Sequence, residues 1–345
     1  MEQMLVSAAS HFREQGLNSF ILGQGIVHPF VNELSAAGYN VRTISAIGRS
    51  WTETMRLRKF VREMGIDIIH IHTEGNYFRT VLACRIALGV RGNGQIIRTI
   101  HSVFDATGAW RFMRWTQALL ADRFVKAIIS PSPDVAANEK KLGRGTKVVF
   151  NWVDDRFTAI RAERAAYRGT HASPKVVLIV GNCSEIKHHK LALHAVLNSD
   201  FSVIHLGNED GAADDELELL ERLAQDGRLI GRGVGRPDDA LRKVDVFAMP
   251  SRHEGMGVAL AEALVVGVPS LVTDVPGLRW AKNIEGVSAL SELQADWDAR
   301  FRSWTPTADD YSSLLIDLSA ARGAREYTEI YRDVLQRAGK WRLSI

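Results

Sequence analysis

Two glutamates, Glu254 and Glu262, stand with seven residues between them around a glycine turn, in the segment KVDVFAMPSRHEGMGVALAEALVVGVPSLVTD that runs from Lys243 to Asp274. Its apolar run Val244–Met249, bounded by Pro250, predicts a buried strand feeding a tight turn. Gly255 and Gly257 let the backbone approach a ligand closely, and Gly257–Val266 is apolar at helical spacing. Gly267-Val268-Pro269 ends that helix, and Ser270–Thr273 predicts the next strand. A strand, a glycine turn and a helix N-terminus make an anion seat, because free backbone N–H groups and the positive dipole end face it. Such a seat beside two hydrogen-bond-accepting carboxylates suits a ligand that carries both phosphates and hydroxyls, as a nucleotide sugar does. Taken alone, the glutamate pair has a plainer reading as two solvated side chains on a helix.

Histidines supply the other candidates. Asp67-Ile68-Ile69-His70-Ile71-His72 predicts a buried strand whose two histidines share one face, a spacing that metals use. Packing and lining are the favoured roles for them. His101 follows the strand Gln95–Ile100, and ligands of open α/β sheets bind beyond the carboxyl ends of strands.

The residues Pro250-Ser251-Arg252-His253-Glu254-Gly255-Met256-Gly257, with Glu262-Ala263 and Gly267-Val268-Pro269, resemble the donor-site motif of family-4 retaining glycosyltransferases. That resemblance implies α/β, GT-B architecture: two doubly wound, Rossmann-like domains facing across a cleft. It puts Glu254 on the transferred sugar and Glu262 on the ribose hydroxyls, with Arg252, Gly255, Met256 and Gly257 around the donor. Arg98-Thr99-Ile100-His101 matches the family's Thr-x-His, which places His101 beside the donor sugar and makes it catalytic with Glu254. Gly181-Asn182-Cys183-Ser184-Glu185-Ile186-Lys187-His188-His189 resembles the turn that holds the donor diphosphate. Lys187 matches the family's lysine, whereas Asn182 stands where arginine is usual and removes a bidentate clamp. His188 or Arg252 is a candidate to compensate. Lys187-His188-His189 with Asp296-Trp297 is similar to enzymes of capsular or exopolysaccharide synthesis. The resemblance implies no cofactor and no metal, the nucleotide-diphosphate sugar being a substrate.

A length of 345 residues suggests about two domains, since single cores rarely exceed roughly 250–300 residues. Expected boundaries are 1–152 for an acceptor-side domain, onto which a terminal helix at 325–345 packs, a basic linker at 153–173, and a donor domain at 174–324. No stretch approaches the roughly 18 apolar residues of a membrane span, no leader pattern opens the chain, and two cysteines point to a reducing cytoplasm. Residues 1–150 carry 19 Lys and Arg against 11 Asp and Glu, a net +8, while the rest is −5. A basic N-terminal half suits an anionic membrane surface, on the inner face, or a phosphate-bearing glycan or lipid-linked acceptor; nucleic acid is not expected. Within it, Gly108–Val125 mixes Trp110, Phe112, Met113, Trp115, Leu119 and Leu120 with arginines. The favoured reading is a connecting helix with its apolar face on the sheet; a membrane-surface helix is the alternative. The chain opens on a helix at Glu2–Phe12, and the family's first strand and Gly-Gly turn have no counterpart before it.

The leading expectation is a retaining glycosyltransferase that moves a sugar from a nucleotide-diphosphate donor to an acceptor hydroxyl. Lys187 and the Gly255–Gly257 turn would neutralise the leaving diphosphate. The alternatives are a non-catalytic nucleotide-sugar binding protein and a sugar-nucleotide epimerase of the same layout. A nicotinamide dehydrogenase is excluded, because no Gly-x-Gly-x-x-Gly follows an early strand with an acidic residue about 20 positions on.

Overall fold

The computed structural model describes residues 2–25, 30–45, 47–89, 94–103, 108–168, 175–305 and 312–339. The chain divides into two compact units, one of residues up to Asn151 together with Ala320 onward, the other Trp152–Ser319.

The first unit alternates α1 (Glu2–Glu14), β1 (Phe20–Gln24), α2 (Val31–Ala36), β2 (Asn40–Ile44), α3 (Trp51–Glu63), β3 (Ile68–Ile71), α4 (Tyr77–Ala87), β4 (Gln95–Thr99), α5 (Gly108–Ala121), β5 (Val125–Ser130), α6 (Pro133–Lys140) and β6 (Lys147–Val148). Helix α3 shows why the chain folds so: Leu57, Phe60 and Val61 are buried while the basic residues between them point out. The strands form two parallel groups, β1-β2 and β3-β4-β5-β6. No ladder joins β1 to β3 among the described residues, yet both groups share one core, in which Leu22 and Ile44 pack with Ile71, Val81, Cys84 and Ile96.

The second unit contains α7 (Arg156–Arg168), β7 (Val176–Val180), α8 (Lys190–Leu197), β8 (Ser202–Leu206), α9 (Asp214–Gln225), β9 (Leu229–Gly233), α10 (Asp238–Lys243), β10 (Val246–Met249), α11 (Val258–Val266), β11 (Ser270–Thr273), β12 (Val287–Leu290), α12 (Gln294–Arg302) and α13 (Ser312–Asp317). Its six strands are all parallel, in the order β12-β11-β10-β7-β8-β9. The central strands β10 and β11 are buried throughout, as runs with no polar alternation require when helices cover both faces. The chain then returns to the first unit as α14 (Ala320–Arg337), whose Tyr327, Ile330 and Val334 are buried and whose Arg332 donates to the Gln15 carbonyl at 3.2 Å.

Two expectations change. Residues 156–168, read as linker, form α7 and belong to the second unit. Phe157, Ile160 and Arg164 make its buried face, and Arg164 donates to the carbonyls of Leu241 (3.1 Å), Val244 (2.5 Å) and Gly267 (3.3 Å), which end α10 and α11. An arginine in a core position hides the helical period from a hydropathy reading. Residues 169–173 of the expected linker and 340–345 of the expected terminal helix lie outside the described residues. Helix α5, expected to lay its apolar face on the sheet, turns Trp110, Phe112, Met113, Trp115, Leu119 and Leu120 outward, each 44–65% exposed.

Candidate functional site

In the second unit, the turn after β7 and the loop after β10 meet. The turn begins where the Gly181 N–H donates to Leu206 O at 2.9 Å, beside Gly207, where a Cβ would stand 1.9 Å from Gly181 O. Only glycine at 207 lets the ends of β7 and β8 come so close. Gly181 itself is at φ +145°, a backbone conformation that favours glycine, and the stem of Lys187 runs past it, 3.4 Å from where a Cβ would stand. The Arg252 N–H donates to Ile186 O at 2.8 Å and fixes the second loop to the first. Across that join Lys187 Nζ donates to Glu254 Oε1 at 2.6 Å, and the Ser251 hydroxyl donates to the same oxygen at 2.8 Å.

The backbone of Glu254 is clamped from the far side. Its N–H donates to Pro276 O at 3.0 Å, and Gly277, at φ +86°, lies so near that a Cβ would stand 2.0 Å from Glu254 O. Pro276-Gly277 is a turn dipeptide, and that is the local signal for this clamp. Gly257, at φ +70°, precedes α11, which no side chain caps. A Cβ at 257 would meet Leu278 Cδ2 at 2.7 Å. Buried Met256 is held by its carbonyl, which accepts from Trp280 Nε1 at 2.7 Å.

Glu262 is half-buried on α11 and, among the described residues, has no hydrogen-bond or ion-pair partner. Burial pushes its carboxyl up to about 7, against the opposing pull of Arg156. It is a desolvated acceptor with free lone pairs. Two predicted donor residues are otherwise engaged: Asn182 Oδ1 accepts from the Asn208 N–H at 2.9 Å, and exposed Arg252 pairs with Glu185 at 2.5 Å. His188, at φ +51°, has an unpartnered Nδ1, and burial followed by Arg252 lowers its pKa.

His101 lies in the first unit. Its Nε2 is 3.0 Å from His72 Nδ1, its ring stacks on that of His72 with centroids 5.2 Å apart, and its N–H donates to Glu74 Oε1 at 2.6 Å. Glu74 in turn accepts from buried Arg98 at 3.1 Å. His70 does share a face with His72, but its nitrogens are spent on Tyr331 (2.7 Å) and Thr99 (2.8 Å). It ties β3 and β4 to α14. Loss of water holds His101 down at about 4 and His70 at about 3, so both are neutral at physiological pH.

The expectation of a metal-independent protein is corrected by a set of residues that no local pattern announces. Cys183, His189, His205 and Glu216 are all buried, and one ligand atom from each lies within 4.8 Å of the others. These four side chains are of the types, and in the proximity, that can hold a metal ion.

The neutral histidines have a consequence for stability. The unfolded chain binds protons at His70 and His101 below about pH 6.5, and the folded chain does so only below about 3 and 4. Stability is therefore lost as pH falls from about 6.5 towards 4. The His70→Gln variant keeps a hydrogen-bonding side chain without the titration. We expect its melting temperature to fall less steeply over that window than that of the parent; identical slopes would remove His70 from the account.

Residues 1–157 match the family described as Glycosyltransferase Family 4, and residues 163–283 match Glycosyl transferases group 1. A D-inositol 3-phosphate glycosyltransferase of Corynebacterium jeikeium is 31% identical over 218 residues, covering 50% of this chain and 52% of that protein. The lipopolysaccharide core biosynthesis glycosyltransferase LpsE of Rhizobium meliloti is 25% identical over 270 residues, covering 72% and 75%. HepE of Anabaena, solved in complex with UDP-glucose, superposes with a TM-score of 0.73 at 17% identity, covering 96% of this chain and 95% of that one. No helix among the described residues is long and apolar enough to cross a membrane. With two Rossmann-like units and both family matches in chain order, the protein is a glycosyltransferase of GT-B fold, related to glycosyltransferase family 4 and group 1.

Proposed function

We propose that this glycosyltransferase is a retaining enzyme that binds a nucleoside-diphosphate sugar through its second unit and elongates a cell-surface glycan. The observation that carries the reading is the Lys187–Glu254 pair, held at 2.6 Å beside the uncapped start of α11, with Glu262 free on that same helix. Without donor, the lysine and the glutamate neutralise each other. A donor separates their roles: the diphosphate takes Lys187 and the N–H groups of α11, and a sugar hydroxyl takes Glu254. Glu262 accepts from the ribose hydroxyls. His101, in the first unit, is the other proposed catalytic residue; it is neutral, and one of its nitrogens is engaged by His72. No side chain is assigned as nucleophile; the leaving phosphate assists attack from the same face. The lipopolysaccharide-core relative LpsE supports the glycan class, and the HepE complex makes UDP-glucose the first donor to try.

Three variants test the donor site. Lys187→Ala is expected to weaken a nucleoside diphosphate far more than the nucleoside. Glu262→Gln should weaken both by about 1.5–3 kcal/mol, the scale of a hydrogen bond to a charged group. Glu254→Gln should lower turnover more than binding. Calorimetry with UDP and uridine, together with sugar-transfer assays, reads all three. Equal losses of UDP and uridine in Lys187→Ala, or no loss of either in Glu262→Gln, would remove the assignment, and an altered sugar nucleotide formed without acceptor would make the enzyme an epimerase.

The acceptor side is proposed to work at an anionic membrane on the cytoplasmic face. Exposed Trp110, Phe112, Met113, Trp115, Leu119 and Leu120 on α5, with Arg111 and Arg123 beside them, support this reading. Flotation with vesicles containing phosphatidylglycerol should recover the protein, less so at high salt, and a Trp110→Ser/Phe112→Ser variant should stay behind. Equal recovery of that variant would sink the assignment.

A further inference from the structure

We infer that Cys183, His189, His205 and Glu216 form a structural zinc site that staples the turn carrying Lys187. The four ligands come from four segments of the second unit: the turn after β7, the residue that opens α8, the middle of β8, and the first turn of α9. Cys183 Sγ is 3.9 Å from His189 Nδ1 and 3.5 Å from His205 Nε2; these two nitrogens are 3.2 Å apart, and Glu216 Oε1 is 3.2 Å from His189 Nδ1. Ligands about 2.0–2.3 Å from a tetrahedral zinc stand about 3.3–3.8 Å from one another. Four of the six ligand-to-ligand separations, at 3.2–3.9 Å, lie close to those edges, and all of them are within 4.8 Å.

The chemistry of the set favours this ion. Among the described residues, no lysine or arginine forms an ion pair with the buried Glu216 carboxylate, and neither its Oε1 nor His205 Nδ1 has a hydrogen bond of acceptable geometry. A buried carboxylate left so is costly. A divalent ion balances the charge: binding releases the thiol proton, and thiolate plus carboxylate then neutralise it. Sulfur, two imidazoles and one carboxylate are a zinc set, whereas magnesium and calcium take oxygen ligands. All four tetrahedral positions are filled by protein, which is the pattern of a structural site. The second nitrogen of His205 faces Glu209 at 3.8 Å, the kind of carboxylate that orients a ligating histidine.

The position gives the ion a purpose. Cys183 and His189 bracket the donor turn, so a shared zinc closes it from both ends, with Lys187 between them. His189 Nε2 lies directly under Gly181, where an added Cβ would stand 3.6 Å from it. The purpose, though not the site itself, rests on the donor reading given above.

The test uses the full chain. Protein purified without added chelator should carry about one zinc per chain by elemental mass spectrometry. Metal-stripped protein reloaded with cobalt(II) should show a thiolate-to-cobalt charge-transfer band. The chain has two cysteines, so the source of that band is decidable: Cys84→Ala should keep it and Cys183→Ser should lose it. If Cys183→Ser fails to fold, the Cys84→Ala spectrum alone decides, since its only thiolate is Cys183. Folded protein that holds no zinc either as isolated or after reloading, or a cobalt band lost in Cys84→Ala, would overturn the site. UDP titration tests the stapling: zinc removal should weaken UDP, and Lys187→Ala should weaken it with zinc retained. Zinc at full occupancy with no UDP binding to any form would instead count against the donor reading.

Discussion

The candidate site of the second unit is organised around one contact, the ion pair between Lys187 and Glu254. Its partners are 27% and 14% exposed, so its net contribution to stability is small, as partly solvated pairs generally are. Its importance is positional. Lys187 ends a turn after β7 and Glu254 lies in the loop after β10, two neighbouring parallel strands whose carboxyl ends both open at this place. Each supporting element acts on that pair: the Arg252–Ile186 bond joins the loops, Ser251 shares the carboxylate, and Gly277 clamps its backbone. The pair is a preformed separation of charge, and the proposed donor would split it with a phosphate on the lysine and a hydroxyl on the glutamate.

The first unit answers a different constraint. The residue pattern of β3 offered two histidines on one face, a metal spacing in the abstract. Fold context settles the matter, because Tyr331 and Thr99 occupy both nitrogens of His70 and leave His72 to orient His101. A helix more than 200 residues away in sequence thus decides the role of a strand histidine, and no local reading includes it. The same contacts explain why α14 belongs with the first unit, since Tyr327 and Tyr331 deliver their hydroxyls into the gap beside β3 and β4.

What could be read from the sequence follows the range over which its signals act. Residues 243–274 were legible in full, because strand, glycine turn and helix are local patterns of hydropathy and backbone freedom. Helix α7 was not, because its buried face includes Arg164, whose burial is meaningful only once the ends of α10 and α11 are in place. The outward face of α5 was misread for the converse reason: amphipathic spacing shows that a helix has an apolar face, not what that face meets. The cluster of Cys183, His189, His205 and Glu216 left no trace, since its spacings fit no ligand motif and the four residues converge only through sheet order.

That cluster also bears on the departure at Asn182. An arginine there would clamp the diphosphate with two parallel hydrogen bonds, a gain made at the moment of binding. Asn182 instead accepts from the Asn208 N–H and so spends its side chain on the turn. A turn so tied above by Asn182 and below by a zinc at Cys183 and His189 loses less freedom when ligand arrives, and ordering cost avoided is affinity gained. Lys187 then needs no second cation beside it, provided its stem is already aimed. Glu254, which accepts from the ammonium at 2.6 Å, supplies that aim. The missing arginine and the buried metal set are on this argument two sides of one solution: fewer charges on the ligand, and a stiffer turn to present the one that remains.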